Sequence, residues 1–214
     1  MGIFIDTENK FSVYDVPKGG GTTIRSWVNY AGSGNLNLKC EYSGDSEYLA
    51  PTTEHYSLLE NEWECYVCDW FREVGGERIA IKRDPVERFL SCYEDKVLRE
   101  GFSLDVDFDE FLDNFEEILK NDTRKHSANK EVGYLWYHFA PQVEHLGRDI
   151  NYYDKVFDIT EIGTSVKTYL EKKWDMQLPD SHCRKNTKRS IILTSEQEEK
   201  IKEIYKEDYL VGWC

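Results

Sequence analysis

The sequence predicts an α/β protein in which a central parallel sheet is flanked by helices. Three short segments carry strand-type apolar side chains, and each is followed by residues with helical spacing: residues 11–16, 78–81 and 155–159. Strands that alternate with helices are typical of a parallel sheet. The 214 residues suffice for one large core, so we expect a single domain over residues 1–214.

Composition and charge argue against several functional classes. The net charge of −14 disfavours a broad nucleic-acid-binding face, since such faces are basic. No apolar run reaches the roughly 18 residues of a transmembrane helix, and the start of the chain, with Asp6, does not resemble a signal peptide. Of the six cysteines, only Cys65 and Cys68 form a C-x-x-C pair. A zinc site needs a second pair or a Cys or His partner at similar spacing, so we expect no metal site. We therefore expect a cytoplasmic protein with reduced thiols. The oligomeric state stays open.

The first predicted strand turns through a glycine loop into a helix, and this arrangement binds anions. Pro17 ends the strand because it has no N–H for a ladder, and helical spacing begins at Ile24. A helix N-terminus presents backbone N–H groups and a positive dipole end, and glycines let a phosphate come close. The intervening residues are Lys18, Gly19, Gly20, Gly21, Thr22 and Thr23.

This loop is not a Walker A motif, because its lysine precedes the glycines instead of following them. A plain glycine turn between strand and helix is the alternative interpretation. The lysine and the two threonines favour a phosphate site, since they add a mobile positive charge and hydroxyl donors.

A second strand-to-helix junction follows residues 78–81. Asp84 is a good N-cap and Pro85 suits the first helical position, so we expect an amphipathic helix that Gly101 ends. Arg83 places a cation at the mouth of this junction, and Ser91 lies on the helix. The alternatives are a salt-bridged arginine and an ordinary helical serine.

Further helices are predicted in the second half of the chain. Asp107 is a plausible cap for an amphipathic helix that extends to Leu119. His138 and Gln142 then stand among aromatic residues in a segment that Pro141 interrupts. A buried core histidine is the alternative interpretation of His138.

The last part of the chain combines helices with a local reversal of charge. A helix is expected over about residues 164–174, and Thr194 or Ser195 is expected to cap a final helix. Between them, four cations lie within six positions: Arg184, Lys185, Lys188 and Arg189. They could clamp a phosphorylated ligand, or they could form a solvated basic loop.

Taken together, these motifs resemble those of the PAPS-dependent sulfotransferases, most closely the carbohydrate sulfotransferases of the heparan 2-O and chondroitin type. VPKGGGTTI (16–24) looks like the loop that holds the 5′-phosphosulfate, and IKRDPVERFLSCY (81–93) looks like the 3′-phosphate motif. DFDEFLDNF, HFAPQ and IYKEDYLV also look like segments of this family. The resemblance implies a P-loop-like nucleotide-binding fold, PAPS as sulfate donor, a carbohydrate or other hydroxyl acceptor, and no metal.

The resemblance also implies roles for single residues. Lys18 would neutralise charge on the bridging oxygen as sulfate leaves, and the loop from Lys18 through Gly19, Gly20, Gly21, Thr22 and Thr23 would hold the 5′-phosphate. Arg83 and Ser91 would grip the 3′-phosphate, and the late basic loop would close over the nucleotide through Arg184, Lys185 and Thr187. His138 and Gln142 would contact the acceptor.

The general base of related carbohydrate enzymes is often a His or Glu between the two phosphate motifs. His55 is the only histidine between them here, and H-Y-S resembles the H-V-S around that base. Glu54, Glu60, Glu62 and His138 are alternatives.

Two other functions stay open at this point. A small-molecule kinase of the P-loop type would place its lysine after the glycines, and this chain does not. A non-catalytic nucleotide-binding domain would keep Lys18 and Arg83 without needing His55.

Overall fold

A five-stranded sheet forms the centre of the protein in the computed structural model. The structure describes residues 2–6, 9–33, 53–56, 76–99, 106–124, 133–180 and 191–214. The strands are β1 (Gly2–Asp6), β2 (Phe11–Asp15), β3 (Thr53–Tyr56), β4 (Glu77–Lys82) and β5 (Lys155–Asp158). Their order across the sheet is β3-β1-β2-β4-β5.

The sheet is parallel where the predicted strands lie and antiparallel at one edge. β2 pairs with β4 and β4 pairs with β5 in parallel, which confirms the predicted α/β architecture. β1 is antiparallel to both β2 and β3, and the sequence analysis predicted neither β1 nor β3. The hairpin from β1 to β2 turns at Lys10, whose φ of 53° is left-handed.

Both faces of β2 and of the central residues of β4 are buried, whereas β5 at the edge is only partly covered. On one face, Val13 of β2 and Ile79 of β4 pack against the helix α1 (Gly21–Ser33) and residues 166–178. On the other face, Tyr14 and Ala80 pack against residues 143–153 and Trp213.

A third apolar cluster lies among the remaining helices and is centred on the ring of Phe89. The helices are α2 (Pro85–Cys92), α3 (Phe108–Asp113), α4 (Phe115–Asn121), α5 (Tyr134–Phe139), α6 (Gln142–Leu146), α7 (Lys167–Trp174), α8 (Ser195–Ile204) and α9 (Lys206–Val211). π-Helical segments cover Tyr93–Arg99 and Ile162–Val166, and 3₁₀ turns cover Ile150–Tyr152 and Ile159–Glu161.

The predicted caps agree with the structure. Asp84 accepts the Glu87 N–H at 2.8 Å with Pro85 at the first helical position, and Asp107 accepts the Glu110 N–H at 2.9 Å. Thr194, and not Ser195, caps α8 through a capping box. The helix predicted from Asp107 is divided into α3 and α4, because the backbone leaves helical geometry at Asn114 (φ −111°, ψ 21°).

Among the described residues, no helix combines the length and the hydropathy needed to cross a membrane.

Candidate functional site

The glycine loop lies at the carboxyl end of β2 and leads directly into α1. The Gly19 N–H donates to the Val16 carbonyl at 2.8 Å, and the Thr23 N–H donates to the Gly20 carbonyl at 2.9 Å. The amides of Gly21 and Thr22 precede this first helical bond, so they have no partner within the helix. The first turn of α1 itself carries no acidic residue, but the buried Asp15 carboxylate lies against Gly21 at this positive end of the helix.

Two backbone features give the loop its shape. Gly20 has a φ of 92°, which disfavours any residue with a side chain, and a Cβ there would also require the end of the Ile162 side chain to move. Lys18 has a φ of 68°, which is uncommon for a residue with a side chain. Such backbone strain costs about 1–2 kcal/mol and is found at functional sites.

The second predicted motif meets this loop directly. Arg83 follows β4, and its Nη1 donates to the Lys18 carbonyl at 2.9 Å. Parallel pairing of β2 with β4 places the carboxyl ends of both strands at the same edge of the sheet. The guanidinium therefore supports the loop in the conformation that requires the left-handed Lys18.

A buried glutamine fixes the backbone at Arg83. The Gln142 Oε1 accepts the Arg83 N–H at 3.0 Å, and its Nε2 donates to the carbonyls of Arg83 at 2.8 Å and Trp213 at 2.7 Å. Asp208 accepts the N–H groups of Gln142 and Val143 at 2.9 and 2.8 Å. Both side chains are fully buried, so α6 and α9 together hold the junction. The contact of Gln142 with an acceptor stays a prediction.

Three cations surround one carboxylate beside the loop. Lys18 Nζ lies 3.1 Å and Lys96 Nζ 3.5 Å from Asp95 Oδ2, and Arg99 Nη1 lies 2.7 Å from Asp95 Oδ1. The Asp95 and Lys96 side chains are only 6% and 3% exposed. These four side chains carry three positive charges and one negative charge, so the cluster favours a further anion.

The pKa of Asp95 reflects this environment. Burial acts to raise it, but Lys18, Lys96 and Arg99 outweigh burial and hold the pKa below its ordinary value. Asp95 is therefore a carboxylate at neutral pH.

Ser91 and Cys92 lie on α2 one turn before this cluster. Ser91 is 8% exposed. Burial raises the pKa of the Cys92 thiol although Arg88, Lys18, Arg83 and Lys96 oppose the change, so the thiol is protonated. It donates to the His138 carbonyl at 3.0 Å and serves the packing of α2 against α5.

His55 lies in the same sheet, on the edge strand β3. β3 and β2 are both antiparallel to β1 and therefore point the same way. His55 pairs with Phe4, which pairs with Val13. The backbone of His55 thus lies two strand spacings, or about 9–10 Å, from Val13, the middle residue of β2.

Of the remaining predicted site residues, the structure describes His138 but not those of the late basic loop. His138 on α5 is 6% exposed, and its ring packs against Tyr134 and Tyr137 with centroids 4.8 and 5.1 Å apart. Arg184, Lys185 and Thr187 lie outside the described residues. Within the described ranges, no group of His, Cys, Asp or Glu side chains could hold a metal ion.

The sequence analysis missed the carboxylate at Asp95 and the buried Lys96. The spacing of Asp95 and Arg99 is typical of an ion pair on a helix, but nothing local connects Asp95 to Lys18, 77 residues earlier.

Comparison with known proteins gives one match. The sequence model of the Sulfotransferase family matches residues 1–211 of the chain. Neither the curated proteins nor the solved structures contain a match. The match includes both the glycine loop and the junction at Arg83.

We predict that Gln142→Leu lowers the free energy of unfolding by about 2 kcal/mol or more. The leucine would leave the buried Arg83 N–H and two buried carbonyls without partners, and each such group costs about 1–3 kcal/mol. Urea unfolding followed by tryptophan fluorescence measures the loss. The control Gln177→Leu changes an exposed glutamine and should stay within about 0.5 kcal/mol of the wild type. Equal stabilities for the two variants would contradict the role of Gln142.

Proposed function

Because the chain belongs to the sulfotransferase family, we propose that it transfers the sulfuryl group of PAPS to a hydroxyl of a carbohydrate or glycoconjugate acceptor. The observation that carries this proposal is the hydrogen bond from Arg83 to the Lys18 carbonyl. It joins the two segments that resemble the 5′-phosphosulfate loop and the 3′-phosphate motif, so a single nucleotide can contact both.

In this proposal the donor lies along the edge where β2 and β4 end. The amides at the start of α1 and the hydroxyls of Thr22 and Thr23 hold the 5′-phosphate, because they are donors at the positive end of a helix. Arg83 and Ser91 hold the 3′-phosphate. The donor set fits such an anion, since three cations face one carboxylate beside the loop.

In the proposed chemistry, His55 and Lys18 act on opposite sides of the sulfuryl group. His55 takes the proton of the acceptor hydroxyl as that oxygen forms its bond to sulfur. Lys18 stabilises the negative charge that develops on the bridging oxygen as the bond from sulfur to the leaving nucleotide breaks. The in-line geometry that sulfuryl transfer needs comes from holding donor and acceptor at one edge of the sheet.

The acceptor side of the site is proposed near α5. Tyr134 is flanked by Lys96 and Arg124, 5.1 and 5.5 Å from its ring centroid, and its hydroxyl accepts a hydrogen bond from Lys96 at 2.7 Å. His138 lies against the same ring. Hydroxyl and cationic donors beside an aromatic ring suit a polar acceptor such as a carbohydrate.

The binding test compares two nucleotides by calorimetry. PAP, the desulfated product, should bind through both phosphate motifs, and ATP should bind weakly because it lacks the 3′-phosphate. Tighter binding of ATP than of PAP would favour a kinase instead. Sulfate transfer to a panel of carbohydrate acceptors then tests the reaction itself.

We predict that Lys18→Ala lowers the turnover number by about a hundredfold or more, the usual loss when a group that stabilises developing charge is removed. The loop amides should retain part of the PAP affinity. The control Lys200→Ala removes a surface lysine that pairs with Asp113 and should leave turnover unchanged. A turnover number close to wild type in Lys18→Ala would exclude this role.

We predict that Arg83→Ala weakens PAP binding by about 2 kcal/mol or more, since a charge-assisted hydrogen bond to the 3′-phosphate is lost. Binding of adenosine 5′-phosphosulfate, which lacks that phosphate, should change much less. The control Arg148→Ala removes an exposed arginine paired with Glu207. Equal losses for both nucleotides would show that Arg83 only supports the loop.

We predict that His55→Ala lowers turnover by roughly a hundredfold or more while PAP still binds, because a general base contributes about that factor. Wild-type turnover should rise with pH through about 6.5, where a free histidine loses its proton, and then level off. Turnover and PAP affinity are measured on one preparation. If turnover survives, Glu54, Glu60 or His138 is the next candidate; if affinity collapses as well, His55 is structural.

A further inference from the structure

We propose that Asp95 is the positioning residue for Lys18: its carboxylate holds the amine beside the loop, and the anionic groups of the donor replace it when they bind. The inference rests on the proposed function, because it concerns the same loop and the same donor. It adds a residue to which neither the sequence motifs nor the family match gave a role.

The geometry allows an anionic ligand to compete with Asp95 for the amine of Lys18. Lys18 Nζ donates to Asp95 Oδ2 at 3.1 Å, and the Lys18 side chain is 20% exposed whereas that of Asp95 is 6% exposed. The amine therefore borders solvent and the carboxylate lies beneath it. An anion that arrives from solvent meets Lys18 before it meets Asp95.

Asp95 can release Lys18 without becoming an isolated buried charge. Losing one partner of a buried ion pair is costly when the other charge is left alone. Here Asp95 keeps Arg99 at 2.7 Å and Lys96 at 3.5 Å, so two cations remain after Lys18 moves. When the donor binds, Lys18 therefore exchanges the Asp95 carboxylate for an anionic group of the donor, and Asp95 stays paired with Arg99 and Lys96.

The π-helical segment Tyr93–Arg99 provides the position that Asp95 needs. Residues 93–97 of this segment are buried, and they continue the run of buried residues 88–92 in α2. Asp95 and Lys96 therefore both lie in the interior, and π-helical turns are frequent at functional sites.

The first part of the test asks whether Asp95 holds the amine. An amine-acylating reagent is applied to the wild type and to Asp95→Asn, and mass spectrometry compares labelling of Lys18 with labelling of the exposed Lys172. The ratio should rise in the variant, because an amine released from its ion pair with Asp95 is more accessible to the reagent. An unchanged ratio would overturn the proposal, whether or not the protein binds a nucleotide.

The second part measures PAP affinity in a double-mutant cycle of Asp95→Asn and Lys18→Ala. With Lys18 present, Asp95→Asn should tighten PAP binding by about fivefold, within the range of coupling between contacting residues. In the Lys18→Ala background this gain should largely vanish. Asp113→Asn removes the same charge from an exposed pair with Lys200 and should change nothing.

The remaining outcomes separate the two proposals. An equal gain in both backgrounds would mean that Asp95 acts only by long-range repulsion, and weaker PAP binding in Asp95→Asn would mean that it is a scaffold; either result overturns the inference. If the wild type binds PAP but Asp95→Asn binds it equally well, the donor proposal stands and this one fails. If the wild type binds no PAP, the proposed function fails and the exchange fails with it. Circular dichroism checks that all variants are folded.

Discussion

The hydrogen bond between Arg83 and the Lys18 carbonyl connects two loops that are 65 residues apart in the chain. A loop with three successive glycines has many conformations in isolation, and a left-handed lysine is not among the most stable. The guanidinium selects one of them, because parallel pairing of β2 and β4 delivers it to the same edge of the sheet. The strain at Lys18 is thus offset by a contact that the tertiary fold alone can provide.

Behind this contact lies a series of hydrogen bonds from buried side chains to backbone groups. Gln142 fixes both the N–H and the carbonyl of Arg83, and Asp208 fixes the N–H of Gln142. Because Gln142 is itself held by Asp208, the Arg83 guanidinium extends from a backbone that has little freedom. Precise positioning of a cation is what a site for a charged nucleotide requires, since the affinity gained falls quickly with misplacement.

Local signals in the sequence predicted much of the fold and part of the site. Asp84 and Thr194 carry their capping information within three residues, and each of the three parallel strands contains strand-type apolar residues. β3 was missed because its pairing with β1 is set by residues far earlier in the chain, and β1 was missed although it pairs with the adjacent β2. The glycine loop and the Arg83 junction were recognised from the sequence, but as two separate motifs. The contacts of Asp95 with Lys18 and of Gln142 with Arg83 were not predicted, because these partners lie 77 and 59 residues apart in the chain.

The bond from Gln142 to the Trp213 carbonyl has a consequence for how the protein is made. Synthesis is vectorial, and β2, α1 and β4 leave the ribosome long before Asp208 and Trp213. Until those residues arrive, the amide of Gln142 and the backbone at Arg83 lack part of their native partners. The edge at which β2 and β4 end therefore reaches its final form late in folding, and a nascent chain that already has β2, α1 and β4 does not yet hold Arg83 in place.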